Sequence, residues 1–167
     1  ALAQSPWRAL DPTVVFSAIA VATERIGLIP TINATYGSPY QVARDILSLD
    51  HLSRGRAGWN VITSQNRPAL DILGIDTVHE REEKYERAEE FLTIVHQLWD
   101  SLPESAITAD ATTHQYLDID ATRPVDFRGR HFSSSGVHSL PLYRGNKPVI
   151  VQAGASSQSQ EFGARWA

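Results

Sequence analysis

Residues 49–64, LDHLSRGRAGWNVITS, constrain the fold more than any other segment of this chain. The pattern predicts the end of a helix, a turn at Gly55 and a buried strand over residues 56–63. Four side chains are expected on or just beyond that strand: Trp59, Asn60, Thr63 and Ser64. Since ligands of α/β proteins bind at the carboxyl ends of parallel strands, the segment indicates a ligand site at this end.

Helical and strand-like periodicities alternate along the rest of the chain. The expected elements are a helix over 12–24 with Asp11 as N-cap, a strand over 26–33, a helix from Ser38 to near Gly55, the strand over 56–63, a helix starting near His79, and a strand over 148–153 followed by another helix. Pro30 fits the first strand only where the ladder needs no donor. Residues 66–68 are expected in a loop.

Apolar residues recur at helical spacing in each of the first three helices. The predicted faces are Val14, Val15, Ala18, Ile19 and Ala22; then Val42, Ala43, Ile46, Leu47 and Leu49; then Tyr85, Ala88, Phe91, Leu92, Val95, Leu98 and Trp99. The charged residues 80–90 are expected on a solvated face, with i,i+4 pairs Glu80–Lys84 and Glu83–Arg87.

Residues 101–147 break this pattern and predict an excursion with a hairpin of its own, its strands near 116–119 and 125–132. The alternation elsewhere predicts an α/β fold with parallel strands and right-handed crossovers. Either an open doubly wound sheet or an arc of a (β/α)8 barrel fits, and three strands do not close a barrel.

The composition restricts the functions open to the chain. Of 167 residues, 42% are hydrophobic and 20% are charged, and a net charge of -4 disfavours a nucleic-acid partner. With no stretch approaching the roughly 20 apolar residues of a membrane span and no signal-peptide pattern, we expect a soluble, cytoplasmic protein without a membrane partner. The absence of cysteine excludes disulfides and thiol catalysis, and the absence of methionine indicates a piece of a longer protein.

The turn formed by Gly154, Ala155, Ser156 and Ser157 lies between a predicted strand and a predicted helix. Backbone N–H groups, the helix dipole and two hydroxyls converge there, as in a phosphate site. Simple capping of the helix by a serine explains the same residues. The chain contains neither GxGxxG nor GxxxxGK[ST], so a Rossmann site or a P-loop has no support.

Asn60 is open to two interpretations, an amide that meets the edge of a flat heterocycle or a buried amide satisfied by nearby backbone. Thr31, Asn33 and Thr35 form a similar polar group at the end of the preceding strand, which favours the ligand interpretation. The six histidines show neither HExxH nor compact ligand spacing, so no metal site is expected. No GxSxG motif supports a serine hydrolase.

Five segments carry a family resemblance when taken together, in this order and at natural spacings: TERIGLIPTINATYGSPYQVAR, SLDHLSRGRAGWNVITS, KYERAEEFLTIVHQLWDS, DFRGRHFSSSG and KPVIVQAGAS. The chain resembles the bacterial-luciferase-like flavin monooxygenases over residues 10–167. Within that family it most resembles the group containing nitrilotriacetate monooxygenase and dibenzothiophene sulfone monooxygenase.

The resemblance implies a (β/α)8 TIM barrel, with residues 1–167 forming part of a single domain of about three βα units and an inserted excursion at about 101–147. It implies reduced FMN as cofactor, supplied by a separate NAD(P)H-dependent flavin reductase. One atom of O2 would enter a small organic substrate, such as an aminopolycarboxylate, a sulfone or a similar xenobiotic, and the other would leave as water. A homo-oligomer is also expected, and no catalytic residue is assigned.

The resemblance also implies a set of cofactor-binding residues. Thr31 and Asn60 would contact FMN, Asn60 at the polar edge of the isoalloxazine, and Tyr85 matches the tyrosine of an HDERYxRA segment. A QAGSS-like turn would hold the flavin phosphate. The full predicted set is Thr31, Asn60, Arg81, Tyr85, Gly154, Ala155 and Ser156.

The chain departs from the family pattern at several of these positions. Arg81 replaces a histidine found four residues before the tyrosine in many relatives, so that contact is either made by a guanidinium or lost, and His79 is shifted by two. Ala155 replaces the first serine of the turn, which leaves the hydroxyl contact to Ser156. The chain also departs from the family pattern at Asn33-Ala34 and at residues 72–74. These differences leave the identity of the substrate open.

Two other functions remain compatible with the sequence. One is a flavin- or deazaflavin-dependent oxidoreductase of the same fold that does not activate O2. The other is a non-catalytic flavin-binding relative.

Overall fold

The computed structural model describes residues 10–63, 67–76 and 80–167. Within these ranges the helices alternate with strands in the order that the periodicity predicts. Five α-helices are present in the described part of the chain: α1 (Pro12–Ala22), α2 (Pro39–Ser53), α3 (Arg67–Leu73), α4 (Arg81–Ser101) and α5 (Ser157–Trp166).

The described residues form seven strands: β1 (Thr31–Asn33), β2 (Gly58–Ile62), β3 (Ile107–Asp110), β4 (Gln115–Leu117), β5 (Val125–Arg128), β6 (Ser133–Gly136) and β7 (Val149–Gln152). Three of them form a parallel sheet in the order β1-β2-β7. In its register Asn60 stands between Thr31 and Val151. The parallel sheet confirms the predicted α/β class, and it is an open arc, not a closed barrel.

The first strand is shorter than predicted, because regular pairing covers only Thr31–Asn33 and a single bridge joins Leu28 to Ala57. Pro30 lies in the ladder as an acceptor, with its carbonyl 2.9 Å from the backbone N of Asn60. The condition that the sequence placed on this proline is therefore met. Residues 26–33, a mostly apolar run rich in β-branched residues, are typical of a strand covered on both faces. That expectation is wrong, since Ile29 is 40% exposed.

The core lies on the face of the sheet that α2 and α4 cover. Trp59 and Val61 point into it from β2, and the Trp59 ring centroid is 5.9 Å from that of Phe91. The indole N–H of Trp59 donates to the carbonyl of Ile32 at 3.0 Å, so this tryptophan belongs to the core and not to a site at the strand end. Burial of such a side chain contributes about 1.5–3 kcal/mol. The predicted apolar faces of α2 and α4 are confirmed as buried or partly buried.

The predicted apolar face of α1 is wrong except at Ile19. Ala20 is the buried residue of this helix, Phe16 and Ile19 pack beside it, and Val14 remains 70% exposed. The sequence PTVVFSAIAVA is apolar on almost every side, so periodicity could not select the face. The N-cap is as predicted, because the Asp11 carboxylate accepts hydrogen bonds from two backbone N–H groups of the first turn.

The end of α2 is fixed by a buried carboxylate. Gly55 has φ +86 and donates its N–H to the carbonyl of Asp50 at 2.9 Å, as expected of a glycine that ends a helix. Arg54 before it also adopts a left-handed conformation. The Asp50 carboxylate accepts the N–H of Ala57 at 3.1 Å. Burial raises the pKa of this carboxyl, and the Ala57 hydrogen bond opposes that rise.

Arg56 joins α1, α2 and the start of β2. Its Nε donates to the carbonyl of Ser53 at 2.7 Å, and its Nη2 donates to the carbonyls of Ala20 and Thr23 at 2.9 and 2.8 Å. Its Nη1 donates to the carbonyl of Ile26. These are carbonyls at or just beyond helix ends, which have no intrahelical partner.

Glycine at position 58 permits the close spacing of β2 and β7. A Cβ at this position would lie 2.7 Å from the carbonyl oxygen of Val149. Because real Cβ atoms do not approach a backbone oxygen so closely, a side chain here would force the two strands apart.

The segment between β2 and β7 differs from the prediction in three places. Residues 67 and 68 begin the short helix α3 instead of a loop, and α4 begins at Arg81, while His79 lies outside the described residues. The excursion contains two antiparallel hairpins, β3-β4 and β5-β6, where one was expected. The two predicted strands therefore belong to different hairpins, because each finds a partner nearer in sequence.

None of the described helices is long and apolar enough to cross a membrane.

Replacing Arg56 with methionine should destabilise the protein by about 2–4 kcal/mol, because several partly buried carbonyls at helix ends lose their donors. Urea unfolding of the full-length protein and its R56M variant measures the difference. Arg25, which is exposed in the same loop region, provides the control. An R56M stability equal to that of Arg25→Met would contradict the assigned role.

Candidate functional site

A cleft of about 420 Å³ lies at the carboxyl ends of β2 and β7. Its walls come from these strands, from the first turns of α4 and from the turn that precedes α5. It is lined by Ile62, Thr63, Arg81, Lys84, Tyr85, Gln152, Ala153, Gly154, Ala155, Ser156 and Ser159. The structure thus brings together five of the seven residues predicted to bind a cofactor, namely Arg81, Tyr85, Gly154, Ala155 and Ser156.

The turn after β7 is held close to α5. A Cβ on Gly154 would overlap the hydroxyl oxygen of Ser159 and lie 2.7 Å from its Cβ, so only glycine fits. Ser159 is buried, and its hydroxyl accepts a hydrogen bond of 2.7 Å from the side-chain amide of Gln152. The turn is therefore fixed from both sides, by the strand and by the helix.

Ser156 caps α5, its hydroxyl accepting the N–H of Ser159 at 3.3 Å. The capping interpretation of this serine is confirmed, and it does not exclude a ligand. Among the hydrogen bonds of the described residues, none uses the backbone N–H of Ala155, Ser156 or Ser157. These donors, at the amino end of a ten-residue helix, suit an anion.

Two cationic side chains face the same cleft. Arg81 and Lys84 lie in the first turn of α4, and Arg81 is exposed. They lie beside the N–H groups of the turn, whereas Glu82 and Glu83 of the same helix turn do not line the cleft. A phosphate or carboxylate group would be stabilised there by charge-assisted hydrogen bonds.

Tyr85 connects the two helices that border the cleft. Its ring centroid lies 5.6 Å from that of the buried Phe162 in α5. The side chain is half-buried, so the ring packs in the core while the residue lines the cleft. This arrangement fixes the spacing between α4 and the turn before α5.

Thr31 and Asn60 lie beside the cleft on the sheet face that faces away from α2 and α4. The Asn60 side-chain nitrogen donates to the Thr31 hydroxyl at 3.0 Å. Asn60 precedes Ile62, a lining residue, by two positions, and residues two apart in a strand share a face. These two predicted residues therefore form a second polar group next to the cleft and do not line it.

The side-chain oxygen of Asn60 is buried and has no hydrogen-bond partner among the described residues. The same is true of the hydroxyl of Thr35, whose residue is 3% exposed. An unpaired buried polar group costs about 1–3 kcal/mol. Among the described residues the Asn60 nitrogen is paired with a side-chain hydroxyl, not with the nearby backbone that the second interpretation required, and its oxygen remains available to a donor.

Two residues of α4 that the sequence placed on a solvated face organise this region. Arg87 donates from Nε to the carbonyl of Thr35 at 2.9 Å. Glu90 accepts three backbone N–H groups of the β5-β6 turn, from Arg130, His131 and Phe132, at 2.8, 2.9 and 3.0 Å. The sequence signal for the contact of Glu90 with this turn is the run RGRH, residues 128–131. Its glycine leaves no room for a Cβ beside Glu90.

Several sequence expectations fall on residues that the structure does not describe. They concern Ser64, Asn66 and His79. The predicted pair Glu83–Arg87 is consistent with the electrostatics, since Glu83 raises the pKa of Arg87 while burial lowers it more strongly. The ion pairs found on the outer side of α4 are Glu86–Arg130 and Glu89–Arg165.

An arc of parallel strands with outer helices and a cleft at the carboxyl ends of its strands is the arrangement of part of a (β/α)-barrel. Residues 2–167 match the family model of the luciferase-like monooxygenases. The chain therefore belongs to the luciferase-like monooxygenase family.

Relatives of known function agree with this assignment. The chain is 40% identical over 166 residues to nitrilotriacetate monooxygenase component A of Aminobacter aminovorans, covering 99% of this chain and 37% of that protein. It is 40% identical over 159 residues to dibenzothiophene-sulfone monooxygenase of Rhodococcus erythropolis, covering 95% and 35%. The resemblance inferred from the sequence is confirmed, and the chain spans little more than a third of these relatives.

A solved structure shares the same fold. Riboflavin lyase, crystallised with modified FMN and riboflavin, superposes with a TM-score of 0.84 at 34% identity, covering 93% of this chain and 35% of that one. The luciferase-like barrel class is thereby confirmed for this chain, which contributes an arc of the barrel.

Protonation of Glu90 should release the β5-β6 turn. Burial raises the pKa of this carboxyl, but the three backbone N–H groups and His131 together lower it below its ordinary 4.5. Its contribution to stability is therefore complete above that value and is lost as the pH falls through the lower folded-state pKa. Unfolding measured between pH 3 and 7 should show a steeper acid loss for the wild type than for Glu90→Gln, which is less stable at pH 7 by about 1–3 kcal/mol.

The exposed Asp126 of the same hairpin provides the control for this measurement. Asp126→Asn should keep the wild-type pH profile. If Glu90→Gln also keeps it, the assigned role of the carboxylate is wrong.

Replacing Gly154 with alanine should destabilise the protein by about 1–3 kcal/mol, because the new methyl group overlaps Ser159. Thermal unfolding of G154A, S159G and the double variant tests this. The double variant should lose less stability than the sum of the two single variants. Gly27→Ala, whose Cβ would meet nothing closer than 4.0 Å, should be neutral, and simple additivity would refute the overlap.

Proposed function

We propose that the full-length protein is a flavin-dependent monooxygenase that uses reduced FMN and O2 to oxidise a small organic substrate. Membership of the luciferase-like monooxygenases and two relatives named monooxygenases at 40% identity support the reaction class. The observation that supports FMN as the cofactor is a combination of two features. One end of the cleft has donors that suit an anion, and the oxygen of Asn60 beside the cleft is unpaired among the described residues.

The described residues fit FMN in two places. The phosphate would lie against the turn Gly154, Ala155 and Ser156, with Arg81 and Lys84 supplying positive charge. The oxygen of Asn60 would accept a hydrogen bond from an N–H on the edge of the isoalloxazine, a donor that neither Thr31 nor the sheet supplies. Thr31 would keep the amide in this orientation.

Reduced FMN supplies two electrons for activation of O2, one atom of which enters the substrate while the other leaves as water. The contribution of this chain is to bind and orient the flavin. The turn before α5 fixes the phosphate. Thr31 of β1 and Asn60 of β2 form a polar row, which β1 and β2 present to the ring. The helix-facing core excludes water from one side of the sheet. The chain covers little more than a third of its relatives, so the proposed contacts describe one part of the flavin site.

We propose a separate NAD(P)H-dependent flavin reductase as the partner that supplies reduced FMN. The relative named component A of a monooxygenase supports an enzyme that works with a second component. Candidate substrates are small organic molecules such as aminopolycarboxylates and sulfones, as the names of the two relatives indicate. The two alternatives, hydride transfer without O2 activation and flavin binding without catalysis, are separated by the following experiment.

The full-length protein, mixed with FMN, NADH and a flavin reductase, should consume O2 in a substrate-dependent manner during a screen of aminopolycarboxylates and sulfones. An oxygen electrode and mass spectrometry of the product, with 18O2 as the label, measure the insertion of one oxygen atom. Flavin binding with substrate reduction and no incorporated label would favour hydride transfer. Failure to bind FMN at all would refute the proposed cofactor.

Arg81→Met should weaken FMN binding about three- to tenfold, because a cation near the phosphate is lost, and should leave riboflavin binding unchanged. Fluorescence quenching at two salt concentrations measures both affinities. Arg128→Met, which removes a 72% exposed cation from the β5-β6 hairpin, is the control. An equal loss of FMN and riboflavin affinity in R81M would place Arg81 away from the phosphate.

A further inference from the structure

Arg87 makes two contacts that join separate parts of the chain at the carboxyl end of the sheet. Its Nε donates to the backbone carbonyl of Thr35, in the turn between β1 and α2. Its guanidinium carbon lies 4.3 Å from the ring centroid of Phe132, in the turn of the β5-β6 hairpin. Arg87 therefore connects the turn after β1 with the excursion, although it belongs to neither.

The turn after β1 is also held by hydrogen bonds of its own backbone N–H groups. Thr35 donates its N–H to the side chain of Asn33 at 2.6 Å, and Ala34 donates to the carbonyl of Ile62 at 2.9 Å. Thr35 is buried, and its hydroxyl has no partner among the described residues. The turn follows Thr31 by a few residues, so its position determines where the polar row of β1 and β2 ends.

The aromatic ring of Phe132, which the Arg87 guanidinium contacts, is itself held in place. Phe132 packs edge to face on Phe91, with ring centroids 5.6 Å apart, and its N–H donates to Glu90 at 3.0 Å. The aromatic ring is thus fixed by the core and by α4 before the guanidinium contacts it. A planar guanidinium can donate in its plane and stack on a ring at once, which an ammonium group cannot do.

We propose that Arg87 is a positioning residue of the flavin site, which holds the turn after β1 in the place where the polar ends of β1 and β2 can meet the flavin ring. This inference rests on the proposed function. Arg87 itself does not line the cleft and need not touch the flavin. Its effect should therefore be on flavin affinity and on the local order of the turn, not on the fold as a whole.

The test compares the full-length wild type with Arg87→Lys and Phe132→Leu and with the double variant. We expect R87K to bind FMN about tenfold more weakly and to exchange the backbone amides of residues 33–37 faster, with a melting temperature within a few degrees of the wild type. F132L should show a smaller change of the same kind, and the double variant should resemble R87K, because both substitutions break one contact. Arg128→Lys, on the same hairpin but exposed, should leave both readouts unchanged.

Each outcome decides the inference. If the wild type binds FMN and R87K binds it equally well, Arg87 has no positioning role. If R87K loses flavin affinity only in parallel with a large fall in melting temperature and with faster exchange throughout the chain, its role is general stability and the inference is wrong. If the wild type itself does not bind FMN, the proposed function fails and this inference fails with it.

Discussion

One side chain, Arg56, satisfies the carbonyls at which two helices end. Its guanidinium donates hydrogen bonds to carbonyls at the ends of α1 and α2, and the backbone of the same residue leads into β2. Unpaired carbonyls at helix ends must find donors, and here the donor comes from the residue that precedes the central strand. The position of α1 relative to α2 and the start of β2 are therefore set together. The arrangement at the carboxyl end of the sheet depends on where β2 starts, because the register of β2 against β1 and β7 follows from that position.

The two ends of the sheet differ in how their polar groups are paired. At the amino end, the carboxylate of Asp50 and the guanidinium of Arg56 are both paired with backbone groups. At the carboxyl end, the oxygen of Asn60 and the hydroxyl of Thr35 remain buried and unpaired in the described part of the chain. Each unpaired group costs about 1–3 kcal/mol, a cost that a ligand or another segment of the protein could offset. Such an asymmetry is expected where one end of a sheet provides stability and the other provides binding.

The sequence predicted the elements that depend on local chemistry. Asp11, Ser38 and Ser156 cap their helices as expected, and strong periodicity identified the buried faces of α2 and α4. It failed on α1, where nearly every residue is apolar, so the buried face depends on long-range packing. It also placed Arg87 and Glu90 in solvent, because an ordinary charged helix face and one that binds a distant hairpin have the same pattern in sequence. The pairing of strands in the excursion was equally inaccessible, since short polar strands carry little register information.

The cleft illustrates the same division between local and distant information. The turn around Gly154 was predictable, because a glycine, a serine cap and a preceding β-strand lie within a few residues. That Arg81 and Tyr85 face this turn could not follow from spacing, since about seventy residues of chain separate them from it. The family resemblance supplied that connection, and the structure shows its geometry.

The part of segment 48–64 that the structure describes, which carries the strongest family resemblance, is mainly structural. Gly58 permits the approach of β7, Trp59 fills the core, and Arg56 pairs the helix ends, whereas Asn60 turns a polar group toward the proposed ligand and Thr63 lines the cleft. A sequence that preserves this segment thereby preserves the scaffold, whatever the reaction. Differences in how the proposed flavin phosphate is held should therefore be sought in the first turns of α4 and in the turn before α5, where Arg81 and Ala155 depart from the family pattern. Those positions border the cleft without supporting the core, so they can change with little effect on stability.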